Sequence, residues 1–480
     1  MSAALLDTAL ARASANNAAD DLSLSQRLAA FVAGVADEAI PAKVVQRAKR
    51  HLLDTLGAAL GGASAAEPRS ARAVTAIDGP GRAPVWGTRD TLSPRNAAFV
   101  NGVAAHALEL DDSGGCDHSG AVVLPAAFAA LSCTPRPVSG RAFLSAMVLG
   151  YDVGRRVLEA CGGYSPHNAR GWHSTMSCGV FGAAAASARV FGLDAARTGA
   201  ALGHAGSFSG GLWGFIHDAS QTKRMHTGRA AEGGLLAALL AQHDVSGPTQ
   251  VFADVWGGFF NAFAPDTHDR AALLHELGDT WKLMRCSIKP HASCRSAHAA
   301  VDAMLALIGE RPYDPQRVRG VHVRLSEFVG RMCGGRDLRN LASSQMSLPY
   351  ALAAVLVHGH AGIDAYAEAA RRDPRIAAML ECITLETDPA MSDLDEPVIT
   401  LDLDGEPPRS RQVLTPLGDP LNPLPDADLL SKYRSLATLA LEPARADALA
   451  EAILDLDNLA DARTLLAWLP GDADARPLLR

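Results

Sequence analysis

The chain has 480 residues, 48% of them apolar and 20% charged, with a formal net charge of −8. That length supports two to three domains' worth of core, and the composition is that of an ordinary globular protein. A mildly acidic chain without a basic block excludes nucleic acid and anionic membrane as partners, so positive charge for any anionic ligand has to be local to a site.

The eight cysteines are scattered and form no C-x-x-C pair. This argues against zinc ribbons, iron–sulfur clusters and thioredoxin-like chemistry, and fits a reducing, cytoplasmic compartment. Residues 1 to 20 are rich in Ala, Asn and Asp and read as frayed. They lack the basic head and apolar run of a signal peptide. The long uncharged window Thr198 to His217 is broken by six glycines and reads as a glycine-rich segment inside a core, not a membrane span.

Ser23-x-x-Gln26 forms a capping box, and Leu24, Leu28, Phe31, Val32 and Val35 then recur at helical spacing. A second amphipathic helix runs from Ala42 to Leu60 and ends at Gly61-Gly62. The prolines and glycines of Asp78 to Asp90 predict a loop or small hairpin. Ser93-Pro94 starts the next helix, with serine as cap and proline in the first turn. Further helices are expected over Gly140 to Leu158, Met176 to Phe191, Ala195 to His204 and Gly228 to Leu240. Little before residue 280 reads as strand.

Past Leu283 the texture changes. Ser287 to Ser293, Val318 to Leu325, Ile383 to Glu386 and Val398 to Leu403 read as strands, and Ser296 to Leu307 and Leu348 to His358 as helices. Pro416 to Pro425 holds four prolines and reads as a crossover, followed by helix from Ala427 to Trp468. The expected fold is therefore mainly α: a large all-helical domain plus a smaller α+β lid domain. Its boundaries are 1–283 for the first helical part, 284–415 for the lid and 416–480 for a C-terminal return to the helical domain.

One stretch concentrates ionisable groups. Glu109-Leu110-Asp111-Asp112-Ser113 puts three carboxylates into four positions, and His118 follows after Gly114 and Gly115, which let the loop fold tightly. Pinned between apolar helices, such a cluster reads as a buried acid/base site, although Asp111 and Asp112 could equally cap the next helix. His118, His173, Lys223, His226, His291 and Arg295 are the other candidates. Lys223 stands just before a helix of small residues, where partial burial would lower its pKa; a solvated loop lysine is the plainer alternative. His291 opens the second domain, and sites often form at domain interfaces. No P-loop, dinucleotide fingerprint, H-E-x-x-H or nucleophile elbow is present, so nucleotide, zinc-protease and serine-hydrolase readings lose ground.

These residues carry a resemblance. His51-Leu-Leu-Asp-Thr-Leu-Gly57, Glu109-Leu-Asp-Asp112 with His118-Ser-Gly120, and Gly150-Tyr-Asp152 are similar to segments of the MmgE/PrpD family. So are His173-Ser-Thr, Gln221-Thr-Lys223, Lys289-Pro-His291 through Cys294-Arg295, and Ser347-Leu-Pro-Tyr350. The likeness runs from about Leu24 to Arg434. It implies a helical domain completed by the C-terminus, a smaller lid, a homodimer, and no metal or organic cofactor. The implied site lies between the two domains, with Lys223, His118, His173, His291 and Asp112 in catalytic positions. Glu109, Ser113, Lys289 and Arg295 would bind the substrate. Glu109 and Ser113 depart from the decarboxylase pattern, which has aspartate and threonine there, and the loop to His118 is a residue shorter.

The activity the resemblance implies is that of a cofactor-independent lyase on a small polycarboxylate. A dehydratase of a 2-methylcitrate-like compound is expected first. An epimerase of an imino- or amino-dicarboxylate and a cis-aconitate-type decarboxylase are the alternatives. All pass through extra negative charge beside a carboxylate, which needs preorganised cations and a proton donor or acceptor tuned near neutrality. A helical binding or scaffold protein that has lost catalysis would not need Lys223 and three matched histidines together.

Overall fold

The computed structural model describes residues 23–218 and 220–472, and the stretch read as frayed lies outside them. The fold is mainly α with a small sheet-containing region. The longer helices before residue 290 are α1 (Leu24–Gly34), α2 (Ala42–Gly62), α3 (Pro94–His106), α4 (Ser119–Cys133), α5 (Gly140–Ala160), α6 (Gly179–Phe191), α7 (Ala195–Ser207) and α8 (Thr222–Gln242). They share one apolar core with α11 (Asp426–Ala437) and α12 (Pro443–Leu454). The Ser23 capping box and the Ser93 cap both form, as does the small antiparallel pairing of β1 (Ala83–Pro84) with β2 (Thr91–Leu92).

A second core lies between Ala292 and Leu403 and takes in Leu108 and Leu110 from the loop after α3 and Leu436 from α11. It joins α9 (His298–Gly309) and α10 (Leu348–His358) to a sheet of order β4-β3-β5-β6. In β3 (Val318–Leu325) the side chains of Val321, Val323 and Leu325 are buried while His322 and Arg324 between them are exposed, the expected period of two. Strand β3 runs parallel to β4 (Ile383–Thr387) and antiparallel to β5 (Val398–Leu403). The edge strand β6 (Arg409–Gln412) reads Arg-Ser-Arg-Gln and has no apolar alternation; its charge suits an exposed edge.

Three expectations change. Lys223 is not in a loop but in the first turn of α8. The helix expected from Met176 breaks at Cys178 into Ser174–Ser177 and α6. Ser287 to Ser293 is not a strand: Ser287 alone makes a bridge, to Ser113, and the amides of Ala292 and Cys294 donate instead to Ala361 and Gln345. Pro290 has no amide to give a ladder.

Small residues set how the helices meet. A Cβ on Gly182 would stand 2.5 Å from the Gly150 carbonyl, and one on Gly228 would stand 2.4 Å from the Phe99 carbonyl. The alanines of α6 are buried inside the chain, so this face is already occupied and is not free for a second copy. The close passage of α3 and α8 at Gly102 and Gly228, fastened by Thr227 Oγ1 donating to the Gly102 carbonyl at 2.8 Å, brings Lys223 beside the end of α3. No helix among the described residues is long and apolar enough to cross a membrane.

Candidate active site

The loop between α3 and α4 carries the acidic cluster. Glu109 and Asp117 bracket it with φ of 53° and 94°, left-handed conformations that side chains avoid. Such strain costs on the order of 1–3 kcal/mol per residue and persists only where surrounding contacts over-determine it. Here those contacts are ion pairs. The loop lies along Ser287, with Ser113 and Ser287 exchanging both backbone hydrogen bonds. Together they wall a cleft of about 620 Å³ whose lining includes Glu109, Ser113, His118, Lys223, Lys289 and Arg295.

Glu109 is the hub. Lys223 Nζ donates to its Oε1 at 2.5 Å. Lys289 Nζ reaches the same oxygen at 3.2 Å and the Glu109 carbonyl at 3.1 Å. Arg224 Nη2 stands 3.5 Å from Oε2. All four side chains are buried. Burial opposes charge on Glu109, but Lys223 and Lys289 outweigh it and hold the carboxyl well below the usual carboxylate range. Burial likewise opposes charge on Lys289, and Glu109 and Asp111 hold it above its ordinary value.

His118 sits among carboxylates. Its Nδ1 lies 3.0 Å from Asp111 Oδ2 and 3.1 Å from the Asp112 carbonyl. Its Nε2 lies 3.6 Å from Asp117 Oδ2 and 3.9 Å from Glu109 Oε1. Burial pulls the imidazole pKa down, yet Asp117 and Asp111 together raise it above the ordinary histidine value. His106 shares Asp111, with Nδ1 at 2.8 Å, but burial takes it to about 3, so it is neutral. His173 continues the chain: Nε2 is 3.5 Å from Asp117 Oδ2 and 3.0 Å from Thr175 Oγ1, and Nδ1 is 2.9 Å from His226 Nδ1. Burial pushes His173 to about 3 and His226 to about 4, so one neutral ring donates to the other.

Three of the expected residues do not line the cleft: Asp112, His291 and His173, the last of which reaches it only through Asp117. Asp112 accepts from Tyr151 OH at 2.6 Å and the Gly120 amide at 2.9 Å, and meets His51 Nδ1 at 2.9 Å, so its carboxylate fastens the loop from behind. His291 Nε2 lies 2.8 Å from Asp302 Oδ1 of α9, and neither lines the cleft. Arg295 closes the outer wall, 3.0 Å from Glu396 and 3.5 Å from Asp419.

The structure adds Arg224, Gln345, His106 and Asp117 to the expected set, and gives the candidates Asp111 and His226 their partners. Gln345 accepts from Arg224 at 3.0 Å and donates to the Leu108 carbonyl at 2.6 Å, joining the loop to the second core. His106 three residues before Glu109, and His226 three after Lys223, are the spacings that mark them in the sequence. Among the described residues, two groupings bring ligand atoms close enough for one cation: His106, Asp111 and His118, and Asp117, His118 and His173. In the first, the histidines already share the carboxylate with each other, and only His118 lines the cleft; in the second, both Asp117 and His118 line it.

A family model for the MmgE/PrpD N-terminal domain matches residues 26–271, and one for the MmgE/PrpD C-terminal domain matches residues 291–458. The chain belongs to the MmgE/PrpD family. It is 32% identical over 466 residues to the cis-aconitate decarboxylase-like protein oryM of Aspergillus oryzae, covering 90% of this chain and 94% of that one. It is 29% identical over 465 residues to the cis-aconitate decarboxylase of Aspergillus terreus, covering 92% of this chain and 94% of the relative. The human cis-aconitate decarboxylase is 28% identical over 465 residues, covering 94% and 95%.

Proposed function

We propose that this chain is a cofactor-independent lyase of small polycarboxylates, and that it decarboxylates an unsaturated tricarboxylate of the cis-aconitate type. The observation that carries the reading is the buried group of Lys223, Lys289 and Arg224 around Glu109, with His118 beside it in one cleft. When an allylic carboxylate leaves as CO₂, its electron pair spreads over three carbons and into a remaining carboxylate. The two lysines, both buried in the cleft wall, stabilise that charge at fixed positions. His118, held protonated by Asp117 and Asp111, delivers a proton to the far carbon and so moves the double bond. Asp112 and His51 hold the loop that carries His118. The nearly full-length likeness to decarboxylases supports this order of preference.

The dehydratase expected first from the sequence is the second reading, because a protonated His118 also suits a leaving hydroxyl. Epimerisation needs two proton carriers on opposite faces of one carbon. Lys223 and His118 instead converge on one oxygen of Glu109, at 2.5 and 3.9 Å. A homodimer in the cytoplasm belongs to the same reading. All eight cysteines are free, and exposed apolar side chains such as Trp256 and Leu212 are available to an interface.

The test is incubation with cis-aconitate, methylcitrate, citrate and iminodisuccinate stereoisomers in deuterated water, followed by NMR. Expected is loss of CO₂ from cis-aconitate with a single deuterium in the new methylene. Water lost from methylcitrate would move the assignment to the dehydratase. Deuterium uptake by iminodisuccinate without net conversion would indicate an epimerase. No turnover across the panel would sink the polycarboxylate reading.

A further inference from the structure

We infer that Arg155 and Arg285, backed by Lys282, form a second anion subsite in the cleft, which takes a substrate carboxylate remote from the one at Lys223. The inference rests on the polycarboxylate reading above. Its basis is a local imbalance of charge. Glu159, in the last turn of α5, faces three cations at once. Arg155 Nε and Arg285 Nη1 share its Oε1 at 2.9 and 3.0 Å, and Lys282 Nζ meets Oε2 at 2.8 Å. One carboxylate balances one cation, so two positive charges remain.

Neighbouring acids do not make up the difference. Asp152 accepts from Arg156 Nε at 2.5 Å and from the Lys282 amide at 2.9 Å. Asp419 faces Arg295 at 3.5 Å. Glu276, beyond Lys282, is half exposed and accepts from Thr280 Oγ1 at 2.5 Å. The excess registers at Arg285, whose guanidinium is pushed below its ordinary value by burial and then by Arg155.

The surplus opens onto the proposed reaction site. Arg155 and Arg285 line the same cleft as His118, Lys223 and Lys289. The loop between is made of Gly114 and Gly115. Gly114 has φ of 92°, and a Cβ there would stand 3.0 Å from the Arg285 carbonyl. The glycine thus lets the loop lie against Arg285. Arg155 Nη1 reaches the Gly115 carbonyl only at 3.4 Å, a long bond that an entering carboxylate can replace. Guanidinium groups match carboxylates in planar pairs, so the cluster suits a carboxylate and selects a ligand long enough to reach both ends of the cleft. Specificity for tricarboxylates over dicarboxylates follows.

Calorimetric titration with two unreactive probes tests this: tricarballylate, with three carboxylates, and glutarate, with two. Wild type is expected to bind tricarballylate about tenfold or more tightly than glutarate, the scale of a hydrogen-bonded ion contact. Arg285→Gln, at a half-exposed position, is expected to fold normally, to remove most of that preference and to leave glutarate unchanged. Arg155→Lys, which keeps the buried charge but not the planar pair, is expected to weaken tricarballylate alone. Unchanged binding of both probes in a folded Arg285→Gln protein, or equal weakening of both, would overturn the subsite while leaving the polycarboxylate reading intact. Wild type binding neither probe would overturn both.

Discussion

Lys223 Nζ lies 2.5 Å from Glu109 Oε1, and both side chains are almost wholly shut from solvent. Glu109 stays ionised through the neutral range, so its part is to hold ammonium groups in place, not to pass protons. Glu109→Gln leaves buried cations without their partner. It is expected to lower stability by about 3 kcal/mol or more, as breaking a buried pair from one side does. Thermal melts of the variant, with activity measured below its transition, check this; an unchanged melting temperature would refute it.

Lys223→Ala is expected to fold and to lose roughly two orders of magnitude in kcat or more, typical for a group that stabilises or protonates the transition state. Lys223→Arg keeps the charge but not the shape. It recovers activity if the role is electrostatic, and little if a proton moves. His243 and His268, which lie outside the cleft, serve as controls. Near-wild-type kcat in Lys223→Ala would mean that the site is elsewhere.

His118 and His291 look equivalent in the sequence, and the structure separates them. His291 pairs with Asp302, whose second oxygen accepts the Leu417 amide at 2.6 Å. The pair fastens the proline-rich crossover to α9. His291→Ala is therefore expected to lower the melting temperature and disturb KM more than kcat, whereas His118→Ala lowers kcat as Lys223→Ala does. Equal kcat losses in both variants would return His291 to the reaction centre.

The difference between these histidines shows what was legible beforehand. Helix positions followed from caps and periodicity, so Ser23, Ser93 and the strand of Val321, Val323 and Leu325 came out as expected. Glu109, Ser113 and His118 of the cleft came from residue types crowded into a short loop, and Lys223, Lys289 and Arg295 from the family resemblance. Direction was not legible: Asp111 and Asp112 are adjacent, yet one meets His106 and His118 and the other His51 and Tyr151. Which way each points depends on the left-handed turn at Glu109, a conformation that nothing in a glutamate announces. The cationic cluster at Glu159 was equally hidden, since Arg155 and Arg285 are brought together only by tertiary packing.

Activity is expected to survive chelation. The cation-capable grouping of Asp117, His118 and His173 uses residues that the proposed reaction needs free. Dialysis against EDTA should leave the rate unchanged, and added zinc should inhibit by taking up those side chains. Activity lost to EDTA and restored by a divalent ion would contradict this.

The pH profile isolates His118. His106 and His173 sit at about 3 and His226 at about 4, so these three are neutral throughout the range in which the enzyme would be assayed. Asp117 and Asp111 lie below the usual carboxylate range and stay charged. His118 alone of this chain of contacts is raised, against burial, by Asp117 and then Asp111. Its protonated form is the proposed acid, so kcat/KM should fall as pH rises through a value above the ordinary histidine one. The stability it contributes has the same sign: fully present below the unfolded pKa of roughly 6.5 and lost as pH rises through the folded one. Asp117→Asn removes the larger raising charge and leaves burial to dominate. The descending limb should then shift to lower pH, with less activity at neutrality and a recovery on acidification. A limb that stays in place in a folded Asp117→Asn enzyme would show that another group sets it.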